Sequence, residues 1–395
     1  MNRGAIAEIN LSAIANNLKI VQKISKDRPV IAVVKADAYG HGCKEVSKRL
    51  IREGASYLAV AYTSEAIPLR NSGITAPILV LFDCEDIEDF FDFRLIPVIH
   101  DIATASALSR IAKKRRDTIK VHVKIDTGMG RLGLIGNHIT EDLFKIAHME
   151  GIEVCGLMSH FSDADLSDRS YAVLQLERFT TIVKALSEKM HTKIFTHVAN
   201  SAAVITFKDS HLDAVRPGLM LYGYSPIINN PSFPLLVKGG EGGFSDSLKP
   251  AMKVKTKILN IRNLPANSPI SYGRTFVTKR QSKIGVLPVG YADGYNRLFS
   301  NNAEVLVKGR RVPVVGRVCM DLTMIDLTGI EDVREGDEVV ILGEQGNEII
   351  TAYELSHRAQ TIPYEILTSL GSHSRKEYIS RASKAHKSES KEQRV

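Results

Sequence analysis

PVIAVVKADAYGHG (29–42) begins with six apolar residues in a row, ends them on Lys35, and turns through two glycines into the charged stretch CKEVSKRLIREG (43–54). A strand that is apolar on both faces belongs to a buried parallel sheet, and the helix-period segment after it is the crossover such a sheet requires. The same alternation continues through YLAVA (57–61), PILVLF (77–82), IPVIH (96–100), IKVHVKID (119–126), IEVCGLMSH (152–160), KIFTHVA (193–199) and LDAVRPG (212–218). Between the later runs, RSYAVLQLERFTTIVKALSEKM (169–190) reads as a long helix. Eight β-α units over roughly 220 residues predict an α/β fold, a (β/α)8 barrel of the TIM type; a doubly wound sheet is the alternative that this strand count disfavours. Ahead of the first run, Leu11, Ile14, Leu18 and Val21 recur at helical spacing.

Downstream the character changes. Residues 226–249, PIINNPSFPLLVKGGEGGFSDSLK, are rich in Pro, Gly and Ser and read as a linker or long loop. Beyond them KIGVLPVGY (283–291), AEVLVKG (303–309), RRVPVVGRVCMDLTMIDL (310–327) and DEVVILG (337–343) read as strands, with one helix at TAYELSHRAQ (351–360) behind a Thr cap. The expected organisation is a barrel over 1–235, a linker over 236–250, a mainly β domain over 251–375 and a basic, disordered tail over 376–395.

The 395 residues, 44% hydrophobic and 24% charged, carry a net charge of +8, but residues 375–395 hold +4 of it. What remains is ordinary for a globular chain, so nucleic acid is not an expected partner. Cys43, Cys84, Cys155 and Cys319 lie far apart with no CxxC pair, and a core of this size needs no disulfide staples, which fits a reducing, cytoplasmic setting. The start, MNRGAIAEINLS, lacks the apolar stretch of a secretory signal. No apolar run approaches the length of a membrane span. The twelve histidines show no metal-ligand spacing.

In a parallel barrel, chemistry gathers where the strands end. Those ends carry Lys35, Asp126 with Arg131 beyond it, His160, Asn200 with Ser201, and Arg216. A barrel needed only for its shape has no use for polar groups there. Lys35 closes an apolar strand; it reads either as a lysine reaching for solvent or as an amine whose pKa falls on burial, suited to a Schiff base. Tyr39 and two glycines follow it in a tight turn. Ser201 opens a short helix, as a plain cap or as part of a phosphate cradle. Arg216 offers a fork to an acceptor atom, and Gly218 admits a close backbone approach. Lysine, cradle and aromatic mouth together point to pyridoxal 5'-phosphate.

AVVKADAYGHG (32–42) resembles the cofactor-lysine signature of the alanine racemase family. KIDTGMGRLG (124–133), SHFSDAD (159–165), HVANSAA (197–203), VRPGLMLYG (215–223), SYGRTF (271–276), PVGYADGY (288–295), VPVVGRVCMDLT (312–323) and IPYEIL (362–367) are similar to that family's other motifs in the same order. The resemblance spans about residues 5–375. It implies a homodimeric isomerase that interconverts L- and D-alanine on pyridoxal phosphate and supplies D-alanine for the cell wall. By this resemblance Lys35 would carry the cofactor and act as base on the D-alanine side, with Tyr272 of the partner subunit as the opposite base. Arg131 and the N–H of Met320 would bind the substrate carboxylate. Tyr39, Ser201, Gly218, Leu219 and Tyr364 would hold the phosphate. Arg216 would face the pyridine nitrogen, with His160 between Arg216 and Tyr272. Lys124, which by itself also reads as a strand lysine paired with Asp126, would be the lysine that many members carbamylate and in whose place some use a bound anion, while Tyr291, Arg297, Arg317 and Asp321 would line the route into the site or support its walls. Barrel-fold decarboxylases place an acid at the ring nitrogen; here the residue is Arg216. A broader-specificity or serine racemase, and a non-catalytic pyridoxal-phosphate carrier, stand as alternatives. The Gly-rich loop 238–247 and the tail have no assigned role.

Overall fold

The structure, a computed structural model, describes residues 4–83, 86–227 and 247–380. It divides into two compact units, Ala15–Lys249 and a second made of the residues up to Ile14 together with those from Pro250 onward.

In the first unit seven parallel strands follow one another in chain order: Ile31–Val33, Tyr57–Val60, Ile78–Val80, Ile96–Ile99, Ile119–Lys124, Ile152–Met158 and Thr196–His197. The eighth run forms no named strand, yet it closes the barrel. Ile31 N–H donates to Val215 O (2.9 Å) and Val215 N–H to Pro29 O (3.1 Å) on one side. Asp213 N–H donates to Thr196 O (3.1 Å) and Arg216 N–H to Ala199 O (2.8 Å) on the other. The α/β barrel read from the strand count is therefore present, its last strand reduced to two isolated bridges, Val30–Val215 and His197–Ala214, before Pro217 removes a donor. Cys43–Arg52 and Ser170–Met190 are helices, as their periodicity requires. In Leu11–Ile24, Asn10 Oδ1 accepts from the N–H groups of Ser12 and Ala13, and Ile14, Leu18 and Val21 are fully buried.

The second unit is mainly β. Its largest sheet runs Arg310–Pro313, Glu304–Val307, Glu338–Gln345, Met252–Lys257, Ile6–Asn10 and Arg375–Ile379, with Glu348–Ile350 paired to Glu338–Gln345. A three-stranded sheet joins Asn260–Leu264, Ser282–Leu287 and Thr323–Asp326. Three expectations are corrected here. Ile6–Asn10, assigned to the barrel domain 1–235, is a strand of this sheet, antiparallel to Met252–Lys257 and parallel to Arg375–Ile379. Residues 376–379, assigned to the tail expected from 376, belong to the strand Arg375–Ile379, and residues 381–395 lie outside the described ones. Both strands are short and find their partners hundreds of residues away, which no local pattern displays. A second helix, Pro363–His373, follows Ala352–Arg358, where one was expected. Thr351 does cap Ala352–Arg358, accepting from Glu354 N–H at 3.1 Å. Residues 228–246, which include most of the expected linker and of the Gly-rich loop, also lie outside the described residues, as does Cys84.

Candidate active site

After Val34 the first barrel strand gives way to a single left-handed turn. Ala36, Asp37, Ala38 and Tyr39 all have φ between 52° and 55°. This conformation costs about 1–2 kcal/mol per non-glycine residue. The contacts that hold it are specific: Ala36 N–H on Glu65 Oε1 (2.6 Å), Cys43 N–H on Asp37 Oδ1 (2.7 Å) and Ala38 N–H on Val34 O (2.9 Å). The strained turn fixes Lys35 at the mouth and folds the buried Tyr39 ring back over Tyr222. There the Tyr39 hydroxyl meets Gly218; a Cβ on that glycine would lie 2.5 Å from it. Ser201 Oγ accepts from Gly218 N–H at 2.9 Å, leaving its own proton to donate outward. Two hydroxyls, the start of the turn at Leu219–Tyr222 and a glycine with no side chain form a cradle fitted to a phosphate.

Arg216, 4% exposed, lies deeper. Its guanidinium donates to His197 O (2.6 Å), Ser159 O (2.6 Å), Val198 O (3.2 Å), His197 Nδ1 (2.7 Å) and His160 Nδ1 (3.2 Å). Because His197 Nδ1 accepts, its Nε2 carries the proton and donates to His122 Nδ1 at 2.7 Å. The result is a buried relay of one guanidinium and neutral imidazoles. Gly156 makes room for it, since a Cβ there would lie 2.5 Å from the His122 ring. Burial lowers Arg216 to about 9, so it stays a cation at neutral pH.

The relay has a consequence for stability. Burial and Arg216 push His122 down to about 3 and hold His160 and His197 well below the ordinary imidazole value. The unfolded chain takes up these protons near pH 6.5 and the folded chain does not, so the stabilisation present above pH 6.5 is lost as pH falls. For His122 alone this amounts to about 2 kcal/mol at pH 5. Urea midpoints measured from pH 7 to pH 5 are expected to fall steeply, and His122→Gln, whatever its starting stability, should lose about 2 kcal/mol less over that interval. Equal slopes would contradict the neutral relay.

The third wall is the loop after Ile119–Lys124. Asp126 Oδ1 accepts from the N–H groups of Gly128, Met129 and Gly130, and Oδ2 from Arg131 N–H at 2.9 Å. Asp126 thereby shapes the loop that presents Arg131. Lys124, 2% exposed, donates to Leu132 O and is lowered to about 8 by burial, against the pull of Asp126, with Arg131 and Arg216 adding repulsion. Lys35 is lowered too, by burial and then Arg131, with Glu65 opposing. The Phe82 ring lies 5.2 Å from Lys35 Nζ and 5.7 Å from the Arg131 guanidinium carbon. Lys35, Tyr39, Lys124, Arg131, His160, Ser201, Arg216, Gly218 and Leu219 thus belong to one mouth. His122, His197, Phe82 and Glu65 join them without a signal of their own in the sequence motifs. The first two sit on strands that read as core, and only two histidines in facing barrel strands hinted at them.

A second group lies on the other unit. Tyr272 occupies the tip of the hairpin Pro269–Ile270/Phe276–Val277, between Ser271 (φ 60°) and Gly273 (φ 71°). Ser271 Oγ donates to Arg317 O (2.7 Å), and Tyr291 N–H donates to Cys319 O (3.0 Å), so Tyr272, Arg317, Met320 and Tyr291 share one face. Ser300 ties the turn at Arg297 to the same strip by accepting from Val318 N–H (3.0 Å). Tyr272 is 70% exposed and Met320 54%, and Asp321 is exposed beside them. Tyr364 is half-buried in the first turn of Pro363–His373.

A parallel barrel with a lysine at its mouth, a phosphate cradle and a cation deep beneath is the architecture of a barrel-fold pyridoxal-phosphate enzyme. The family described as "Alanine racemase, N-terminal domain" matches residues 9–226, and "Alanine racemase, C-terminal domain" matches residues 251–378. The alanine racemase of Thermodesulfovibrio yellowstonii is 49% identical over 96% of this chain and 99% of its own. Among solved structures, alanine racemase from Bacillus anthracis with bound L-Ala-P superposes with a TM-score of 0.87 at 34% identity, covering 96% of each chain. That of Bartonella henselae with covalently bound pyridoxal phosphate gives 0.83 at 29% identity, covering 95% of this chain and 99% of that one. The chain belongs to the alanine racemase family, whose members are pyridoxal-phosphate-dependent isomerases.

Proposed function

We propose that this chain interconverts L- and D-alanine with Lys35 and Tyr272 as its two bases. Racemisation takes the Cα proton from one face and returns one to the other, so it needs a base on each face. Bound pyridoxal phosphate would supply the electron sink that makes that proton removable. The observation that carries the reading is the mouth itself: a lysine of lowered pKa beside a phosphate cradle, above an arginine and not an acid. Tyr39, Ser201, Gly218, Leu219 and Tyr364 hold the phosphate. Arg216, locked by carbonyls and neutral histidines, would face the pyridine nitrogen and keep its proton there, which would weaken the electron sink and favour return of the proton to Cα over decarboxylation or transamination.

Lys35 takes and returns the proton on the D-alanine side. Burial and Arg131 favour its neutral form, the one that is a base. Tyr272 acts on the L-alanine side, from the partner subunit of a homodimer. In support, it projects from a strained turn into solvent with Met320 and Tyr291, an aromatic and thioether face of the kind found at interface centres. Arg131 and the N–H of Met320 bind the substrate carboxylate, Arg131 with a fork matched to it. Lys124 reacts with carbon dioxide to a carbamate, which turns a repelling cation beside Arg131 into an orienting anion. An amine of pKa about 8 has enough neutral form for this. Tyr291, Arg297, Arg317 and Asp321 line the route in. The setting is the cytoplasm, and the D-alanine serves cell-wall synthesis; no helix among the described residues is long and apolar enough to cross a membrane.

Chiral chromatography of L-alanine and L-serine incubated with the pyridoxal-phosphate-loaded protein tests the reading. Alanine converted to a near-equal mixture, with serine much slower, is the expected result. Faster serine turnover would keep the two bases and change the substrate, since a small pocket distinguishes one hydroxyl by only about 1–3 kcal/mol. Bound cofactor without turnover of either would sink the assignment.

A further inference from the structure

His100 ends the strand Ile96–Ile99, and no role has been given to it above. In the register of that strand with Ile119–Lys124, Val98 lies opposite His122 and Ile99 opposite Val123. The next rung sets His100 beside Lys124. Directly opposed residues of adjacent strands point to the same face of the sheet. That face is the barrel interior: His122, two residues before Lys124 on the same strand, bonds there to His197. Both ring nitrogens of His100 are buried and neither makes a full hydrogen bond, the Phe82 backbone being the one nearby group that favours a proton there. Buried imidazole nitrogens without partners are costly, and a group that satisfied them would recover that cost.

Lys124 keeps an N–H on Leu132 O and has a neutral fraction at physiological pH. We infer that His100 is the positioning residue for the carbamate of Lys124: it takes the proton that carbamylation releases and then donates a ring N–H to the carbamate. The inference rests on the reading of Lys124 given above. In the step, the Lys124 Nζ lone pair attacks the carbon of carbon dioxide, and one C=O electron pair moves onto oxygen. The nitrogen sheds one proton to a His100 ring nitrogen, which passes it to solvent. Lys124 Nζ retains its second hydrogen, so the bond to Leu132 O survives. The neutral His100 ring, a donor on one nitrogen, then pairs with a carbamate oxygen while Arg131 pairs from the loop side. The charge of Lys124, which now repels a proton on His100, changes sign.

Carbon-13 NMR of the full-length, cofactor-loaded protein equilibrated with ¹³C-bicarbonate reads the carbamate directly. The expected result is a carbamate resonance in the unsubstituted protein that is absent in Lys124→Met. At the same bicarbonate, occupancy should fall about tenfold or more in His100→Phe, as loss of a hydrogen bond to a charged group predicts, and recover in part in His100→Asn. The KM of His100→Phe for alanine should also return toward the unsubstituted value as bicarbonate is raised, with kcat little changed, a dependence that a merely structural residue would not produce. Equal occupancy in His100→Phe, or a KM defect indifferent to bicarbonate, overturns the role of His100 while the Lys124 carbamate stands. No resonance in the unsubstituted protein overturns the carbamate itself and His100's role with it.

Discussion

Lys35→Ala is expected to reduce racemisation in both directions by at least about 10²–10⁴-fold, the usual contribution of a positioned base, and by more because the same amine anchors the cofactor. The left-handed turn from Ala36 to Tyr39 is held by Glu65, Asp37 and Val34, none of which involves the Lys35 side chain. The cradle of Ser201, Gly218 and Tyr39 should therefore survive the substitution. Pyridoxal phosphate is expected to remain bound reversibly and to leave on dialysis, where it stays with the unsubstituted protein. Lys35→Arg should fail equally, because a guanidinium keeps its proton and cannot serve as nucleophile or base. An added small primary amine should restore part of the rate to Lys35→Ala and none to Lys35→Arg, whose side chain fills the space. Activity near the unsubstituted level in Lys35→Ala would remove Lys35 from the mechanism.

The barrel was legible because it is periodic: each buried parallel strand is an apolar run, each crossover a helix, and the two signals alternate. Lys35, Ser201 and Arg216 were legible for a related reason, since a polar group ending an apolar strand has few structural uses at a barrel mouth. Short strands whose partners are remote escaped, as Ile6–Asn10 and Arg375–Ile379 did. So did His122 and His197, whose value lies in a cross-strand bond that no spacing encodes. The left-handed turn after Lys35 was also hidden, because Ala36, Ala38 and Tyr39 have no marked preference for positive φ and one Asp does not mark a whole turn. The tertiary contacts of Glu65 and Asp37 impose it.

Tyr272→Phe should lower turnover by about 10²–10⁴-fold and leave cofactor binding intact, since only a hydroxyl on the exposed hairpin tip is lost. The effect should be directional. Proton abstraction from L-alanine depends on Tyr272, whereas Lys35 can still abstract from D-alanine, so exchange of the D-alanine Cα hydrogen with deuterated solvent should persist after racemisation has failed. The two inactive variants also test whether a site is shared. In a hybrid of one Lys35→Ala chain and one Tyr272→Phe chain, a site built across the interface exists in two forms. One combines both substitutions, and the other combines the intact Lys35 of one chain with the intact Tyr272 of its partner. Random re-pairing of equal amounts would then restore about a quarter of the original activity, because half the dimers are hybrids and each holds one good site. If Tyr272 served the barrel of its own chain, every site in the mixture would lack one base and mixing would restore nothing. Recovery of activity from two inactive preparations would establish the dimer and the trans position of Tyr272 together.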